Sequence, residues 1–197
     1  MSFLALTAAA PEARANTAGR ARKSLGITLI ETLLALAVGA VVVIGAIAFY
    51  ISATSDNQQT AANRQLQAIV GNVRTLYSGQ STYAGLTNTL AISARAVPAE
   101  MVNGTGGLTN PWKGVVTLGA SATGDFFTIQ YAGVPKDACV KTLSMNNSGS
   151  GGSAQKITVN GTVRYDATAA TATPITPATA VTFCANETTN TLLWEYR

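Results

Sequence analysis

The chain has no histidine among its 197 residues and only two cysteines. Without histidine there is no Ser-His-Asp triad and no zinc or haem site built on imidazole. Charge is scarce as well, since Asp, Glu, Lys and Arg together make up 11% of the residues. No G-x-x-x-x-G-K-[ST] phosphate loop occurs, so the chain holds no such device for driving its own assembly with a nucleotide. Three gaps are local. No acidic residue lies between Glu12 and Glu31, no charge of either sign between Leu33 and Ile51, and no proline between Pro11 and Pro98. The positive net charge is itself local. Arg14, Arg20, Arg22 and Lys23 against Glu12 give +3 over residues 1–26, whereas nine basic and eight acidic side chains beyond residue 26 give +1. The basic balance therefore belongs to one flank of the chain, and no specific nucleic-acid binding is expected.

What fills the gaps is one apolar run. Leu33 to Ile51 is nineteen residues whose only polar side-chain group is the Tyr50 hydroxyl. About 20 such residues cross a hydrocarbon layer of about 30 Å as a helix. With Arg20, Arg22 and Lys23 just before it, the N-terminus is expected to stay cytoplasmic and everything after Ile51 to be exported. Glu31 does not suit a plain anchor. A carboxylate at membrane depth costs about 2.5–3.5 kcal/mol on insertion scales, so it calls for a partner. The run offers no cation, but a cut after Gly26 would create one, the α-amine of Ile27.

Gly26-Ile27-Thr28-Leu29-Ile30-Glu31, followed by the long apolar run, resembles the processing motif of type IV pilins and pseudopilins. The resemblance implies that a prepilin peptidase cuts after Gly26 and that the new N-terminus, Ile27, is methylated. It implies that Glu31, with Thr28 in the same motif, serves assembly, its carboxylate neutralising the terminal amine of a neighbouring subunit. The 26-residue leader and Ile at the new terminus look like the type IVb branch. On this reading residues 1–26 are a leader that is removed, 27–54 a hydrophobic membrane and filament-core helix, and 55–197 an amphipathic helix plus exported head.

Residues 27 to about 78 should form a single helix of ~50 residues, hence ~75 Å long. Its first half is apolar all round. In its second half Ala62, Leu66, Ile69, Val73 and Leu76 recur at spacings of four and three, a stripe that should pack on the head. Ser78-Gly79 ends it. Gly39 and Gly45 flank the β-branched stretch Val41 to Ile44 and weaken helix formation. They suit either close helix packing through small residues or a segment that unwinds as subunits pass from bilayer to filament, as the resemblance implies.

Beyond Gly85, a short helix is expected over Asn88 to Arg95, capped by Thr87 or Asn88 and stopped by Val97-Pro98, with one more turn over Pro98 to Val102. Gly104 to Asn110 reads as loop and Asn110-Pro111-Trp112 as a turn. Val115 to Leu118 and Phe126 to Tyr131 read as strands, and Pro135 to Met145 as a helix with Asp137 in its first turn. Asn146 to Gln155 is a Gly/Ser loop. Ile157 to Val163 is a hairpin turned by Asn160-Gly161, Ala167 to Ala180 an Ala/Thr/Pro connection, and Val181 to Cys184 and Thr191 to Tyr196 two final strands. The fold class is thus α+β: a long N-terminal helix packed on a C-terminal antiparallel sheet, the pilin ladle. Cys139 and Cys184 both fall on the exported side, where an even pair bonds.

The function expected is structural. The chain resembles a type IVb major pilin that polymerises into an extracellular filament for adhesion, aggregation or conjugative mating contact. Its implied partners are itself, the peptidase and methyltransferase, an inner-membrane assembly platform with its ATPase, the inner membrane before assembly, and a host or recipient cell surface. No cofactor, metal or catalytic residue is expected. A type II secretion pseudopilin would share the first 50 residues but would bind calcium through carboxylates near the C-terminus, where only Glu187 and Glu195 stand. A minor or adhesive pilin is a related alternative. A membrane-anchored enzyme would need a nucleophile with a base, and no such constellation is visible. Asn186-Glu187-Thr188 and the Ser/Thr-rich stretch 167–180 match glycosylation acceptors and read as solvated loops.

Overall fold

The computed structural model describes residues 28–145, 154–169 and 172–197. The cleavage positions Gly26 and Ile27, and most of the expected Asn146 to Gln155 loop, lie outside the described residues. The chain divides into two compact units, residues 1–45 and 46–197. The described part of the first unit is the beginning of α1, Leu29–Leu76. This helix is proline-free, and its residues from Leu29 to Ile51 are all exposed among the described residues.

In the second unit the remainder of α1 buries one face. Ala62, Leu66, Ile69, Val70 and Val73 enter the core, as their spacing requires for a stripe on a 3.6-residue period. Val70 extends the expected stripe. Leu76 does not belong to it, being 41% exposed at the last turn. There the chain leaves the helix through Tyr77 and Ser78, whose amides bond back to Val73 and Thr75.

The sheet has six strands, all antiparallel: β1 Leu108–Thr109, β2 Val115–Ala120, β3 Phe127–Val134, β4 Ala154–Val159, β5 Thr162–Asp166 and β6 Asn190–Tyr196. Their spatial order is β1-β2-β3-β6-β4-β5. The last strand in sequence is therefore central, paired with β3 on one side and β4 on the other. Its alternate residues Asn190, Leu192, Trp194 and Tyr196 are all buried, and Trp194 meets Tyr131 of β3 edge-on at 5.5 Å between ring centroids. Leu66 and Ala62 of α1 share one apolar lining with Tyr131, Leu192 and Trp194. The core is the layer between α1 and this sheet.

Local chemistry explains the turns. Thr87 caps α2, Asn88–Ser93, by accepting from the Leu90 amide at 3.2 Å. A single 3-10 turn follows at Ala99–Met101. Asn110 is buried; its Oδ1 accepts from the Trp112 and Gly114 amides and its Nδ2 donates to the Ala132 carbonyl at 2.8 Å. That tie draws the turn against β3 so closely that a Cβ on Gly114 would fall 1.8 Å from the Ala132 oxygen. Only glycine fits there. In the β4–β5 hairpin, Asn160 and Gly161 take φ of 51° and 78°, the positive pair a type I′ turn requires.

Three expectations need correction. Val181 to Cys184 is not a strand. Pro177–Phe183 is a helix, α4, and so also ends the expected Ala167 to Ala180 connection early. Thr176 and Thr179 form a reciprocal capping box and Pro177 occupies the first turn, and this cap chemistry outweighs the β-branched Val181 and Thr182. The Gly104 to Asn110 stretch contains β1, formed where Leu108 pairs with Val116. Ala154 and Gln155, expected in the loop, already belong to β4.

Candidate functional site

Two regions carry the residues singled out by sequence, one in each unit. In the first unit, Thr28 precedes α1 and its carbonyl accepts from the Glu31 amide at 2.9 Å and the Thr32 amide at 3.2 Å. Glu31 lies in the first turn, where a carboxylate meets the positive end of the helix dipole. From Leu29 to Ile51 every residue is exposed, including Leu34 at 67%, Val41 at 70% and Phe49 at 76%. The most apolar 18-residue window reaches a mean hydropathy of 2.6 with none of it buried. A methyl group placed on Gly39 or Gly45 would meet nothing within 4 Å. These glycines are therefore not demanded by contacts among the described residues.

In the second unit, α3, Lys136–Met145, lies against α1. Gln59 donates to Thr142 Oγ1 at 2.7 Å in the buried seam. Ser55 donates to Asp137 at 3.0 Å, and the Lys141 ammonium meets Asp56 at 2.8 Å. The hydrogen bond that Lys141 donates to the Asp56 carboxylate raises the Lys141 pKa above its ordinary value. Such an exposed pair contributes little on its own, but the row of contacts fixes which face of α3 meets α1.

Cys139 of α3 and Cys184, the C-cap of α4, form the disulfide, with a Cα separation of 6.0 Å. Both are fully buried. Around them lies an amide network that sequence reading missed. Asn190, also fully buried, donates to the Val134 carbonyl at 3.2 Å and the Asn186 carbonyl at 2.6 Å. Its Oδ1 accepts from the Asn186 amide and from Asn160 Nδ2. Asn160 in turn accepts from the Thr191 amide at 2.9 Å. The hairpin turn, the end of β3 and the chain after Cys184 are thus tied to the first residue of the central strand. The Asn-Gly pair signalled the turn, but nothing local signalled that its side chain would also bind Thr191.

On β6, Glu195 lies across from Lys156 of β4, which lies across from Asp166 of β5. The ammonium sits 3.7 Å from Glu195 and 3.8 Å from Asp166. Two hydrogen bonds from Thr168, side chain first and then backbone, hold the Asp166 carboxyl below its usual range. Glu187 is paired with Lys136 at 2.6 Å. Among the described residues no cluster of His, Cys, Asp and Glu could hold a metal ion.

Among the described residues the geometry presents two features. It offers an exposed apolar helix led by a carboxylate, and a crosslinked head. Comparison with known proteins agrees. The family described as PilS N terminal matches residues 56–196. Over 171 residues the chain is 31% identical to the major structural subunit of bundle-forming pilus of Escherichia coli O111:H-, covering 82% of this chain and 88% of that one. It is likewise 31% identical, with the same coverage, to the subunit of the same description from Escherichia coli O127:H6.

Proposed function

This chain belongs to the type IVb pilin family, and from that membership we propose that it is the major structural subunit of a type IVb pilus, polymerising with copies of itself into an extracellular filament. The observation that carries the proposal is the complete exposure of Leu29 to Ile51. An apolar patch of that extent is not stable against water. A bilayer can cover it before assembly, and the same helices of neighbouring copies can cover it afterwards, with burial supplying the driving force.

The remaining roles follow. Residues 1–26 are a leader, 27–54 the membrane and core helix, and 55–197 the amphipathic helix and head. A peptidase cuts between Gly26 and Ile27 and a methyltransferase modifies Ile27. Glu31, with Thr28 beside it, sets the register of each added subunit against the Ile27 amine of its neighbour. Gly39 and Gly45 let the helix yield as it leaves the bilayer. An inner-membrane platform and its ATPase supply the work, and the filament serves adhesion, aggregation or mating contact with another cell. The pairing of Glu187 with Lys136 and of Glu195 with Lys156 favours a pilin over a calcium-binding pseudopilin, because each carboxylate already has a cation. Electron microscopy of filaments sheared from cells, labelled with antibody to the head, tests the reading. Labelled filaments that vanish on deletion of this gene are expected. Filaments that persist unlabelled, with the chain confined to the membrane fraction, would overturn it.

A further inference from the structure

We propose that Asn186 is the acceptor of an N-linked glycan on the exported head. The inference rests on the reading of the head as exported. The pattern N-x-[ST] is short and marks a site only where it lies on a surface loop of a secreted protein. The sequence carries it at Asn103, Asn146, Asn160 and Asn186, and Asn146 lies outside the described residues.

The structure separates the other three. Asn160 is committed at both ends of its amide, its oxygen to the Thr191 amide and its nitrogen to Asn190. A sugar on that nitrogen would break the network at the start of the central strand. The half-buried Asn103 accepts from Thr105 Oγ1 at 2.8 Å, the Thr105 amide at 3.1 Å and the Gly107 amide at 2.8 Å. Its nitrogen is pressed toward Gly107, where a Cβ would come within 3.0 Å.

Asn186 is different. Its backbone is held on both sides by Asn190, through the amide at 3.2 Å and the carbonyl at 2.6 Å. The next carbonyl, that of Glu187, accepts from the Lys136 amide, and the Glu187 carboxylate is drawn to Lys136 Nζ. The side chains of Asn186 and Thr188 are exposed at the bend and take part in no hydrogen bond among the described residues. The loop is a fixed mount with a free amide and a free hydroxyl two residues on. A sugar there displaces no internal contact.

The donor class is a sugar linked through diphosphate to a lipid carrier, acted on by a transferase of the exporting cell. A bond forms between Asn186 Nδ2 and the anomeric carbon. The bond from that carbon to the diphosphate oxygen breaks, its electron pair leaves with the diphosphate, and one Nδ2 proton is released.

Trypsin places each of the four sites on a separate peptide, and Asn186 falls in residues 165–197. The intact subunit is recovered from surface filaments of the native cells and its tryptic peptides are analysed by mass, before and after reduction. The reduced 165–197 peptide is expected to exceed its sequence mass by at least one sugar residue. Asn186→Gln and Thr188→Ala should abolish the addition, and Thr188→Ser should retain it, with an unchanged melting temperature in all three. A peptide at sequence mass with Cys139 and Cys184 linked overturns the proposal alone, as does an addition that persists in Asn186→Gln. Cysteines that alkylate without reduction would overturn export of the head and the proposal with it.

Discussion

Glu31 is the one charge between Leu29 and Ile51, a stretch of α1 whose exposed side chains are otherwise apolar apart from Thr32 and Tyr50. Removing it should ease insertion into a bilayer, since a carboxylate at that depth is costly, and should still abolish the filament. In a strain whose only copy of this subunit is Glu31→Ala, membrane levels are expected to match or exceed wild type while surface filaments disappear. Normal filament yield would contradict the pairing with Ile27. Tyr131 offers a contrasting test in the core. Its hydroxyl is buried with no hydrogen-bond partner among the described residues, and burial raises its pKa above the ordinary value of 10.0. Below about pH 10 the phenol is neutral in the folded and unfolded chain alike, and as the pH rises further the unfolded chain ionises first, so stability falls. Tyr131→Phe removes a polar atom that makes no bond, so at neutral pH it should be neutral or stabilise by about 1 kcal/mol. It should also soften the alkaline fall in melting temperature. A loss of stability at pH 7 would mean the hydroxyl has a partner after all. Glu31 stands out in the sequence because of its position at the head of an apolar run. Asn190 does not, because its partners Val134, Asn160 and Asn186 come from three segments that only the fold brings together.

Among the elements, the long helix and the Asn-Gly hairpin were legible because each is specified within a few residues: an apolar stripe in one case, a dipeptide that accepts positive φ in the other. Val181 to Cys184 was misread as strand because Val181, Thr182 and Phe183 favour a strand locally, whereas the capping box between Thr176 and Thr179 and the first-turn proline make Pro177–Phe183 a helix. Thr176→Ala should therefore cost about 1 kcal/mol, the usual loss for an N-cap, measured by chemical denaturation of the head. No change would show that packing alone holds α4. The disulfide was legible as a pair, but Cys184 caps a helix instead of ending a strand. It crosslinks α3 to α4 across a separation of 45 residues. By chain entropy that closure is worth roughly 4 kcal/mol, a large share of the 5–15 kcal/mol typical of a domain. Cys139→Ser should lower the melting temperature of the head and the amount of subunit outside the cytoplasm. Because both sulfurs are fully buried, mild reductant should leave the wild-type bond intact until the head unfolds.

At the scale of the whole molecule, the two units have opposite relations to solvent. Residues 46–197 close a core around the central strand β6, while the described residues of the first unit leave every apolar side chain exposed. A chain built this way is complete only in company. In the proposed assembly this exposed helix becomes the core of a filament of identical subunits, with Glu31 of each facing the α-amine of Ile27 on a neighbour. Helical reconstruction by cryo-electron microscopy of filaments sheared from cells tests that claim most directly. The expected result is density beginning at Ile27, residues 29–51 buried among copies of the same helix, and the Glu31 carboxylate within salt-bridge distance, about 4 Å, of a neighbouring Ile27 nitrogen. Filaments in which residues 1–26 are retained, or in which residues 29–51 stay on the surface and Glu31 has no neighbouring amine, would contradict it.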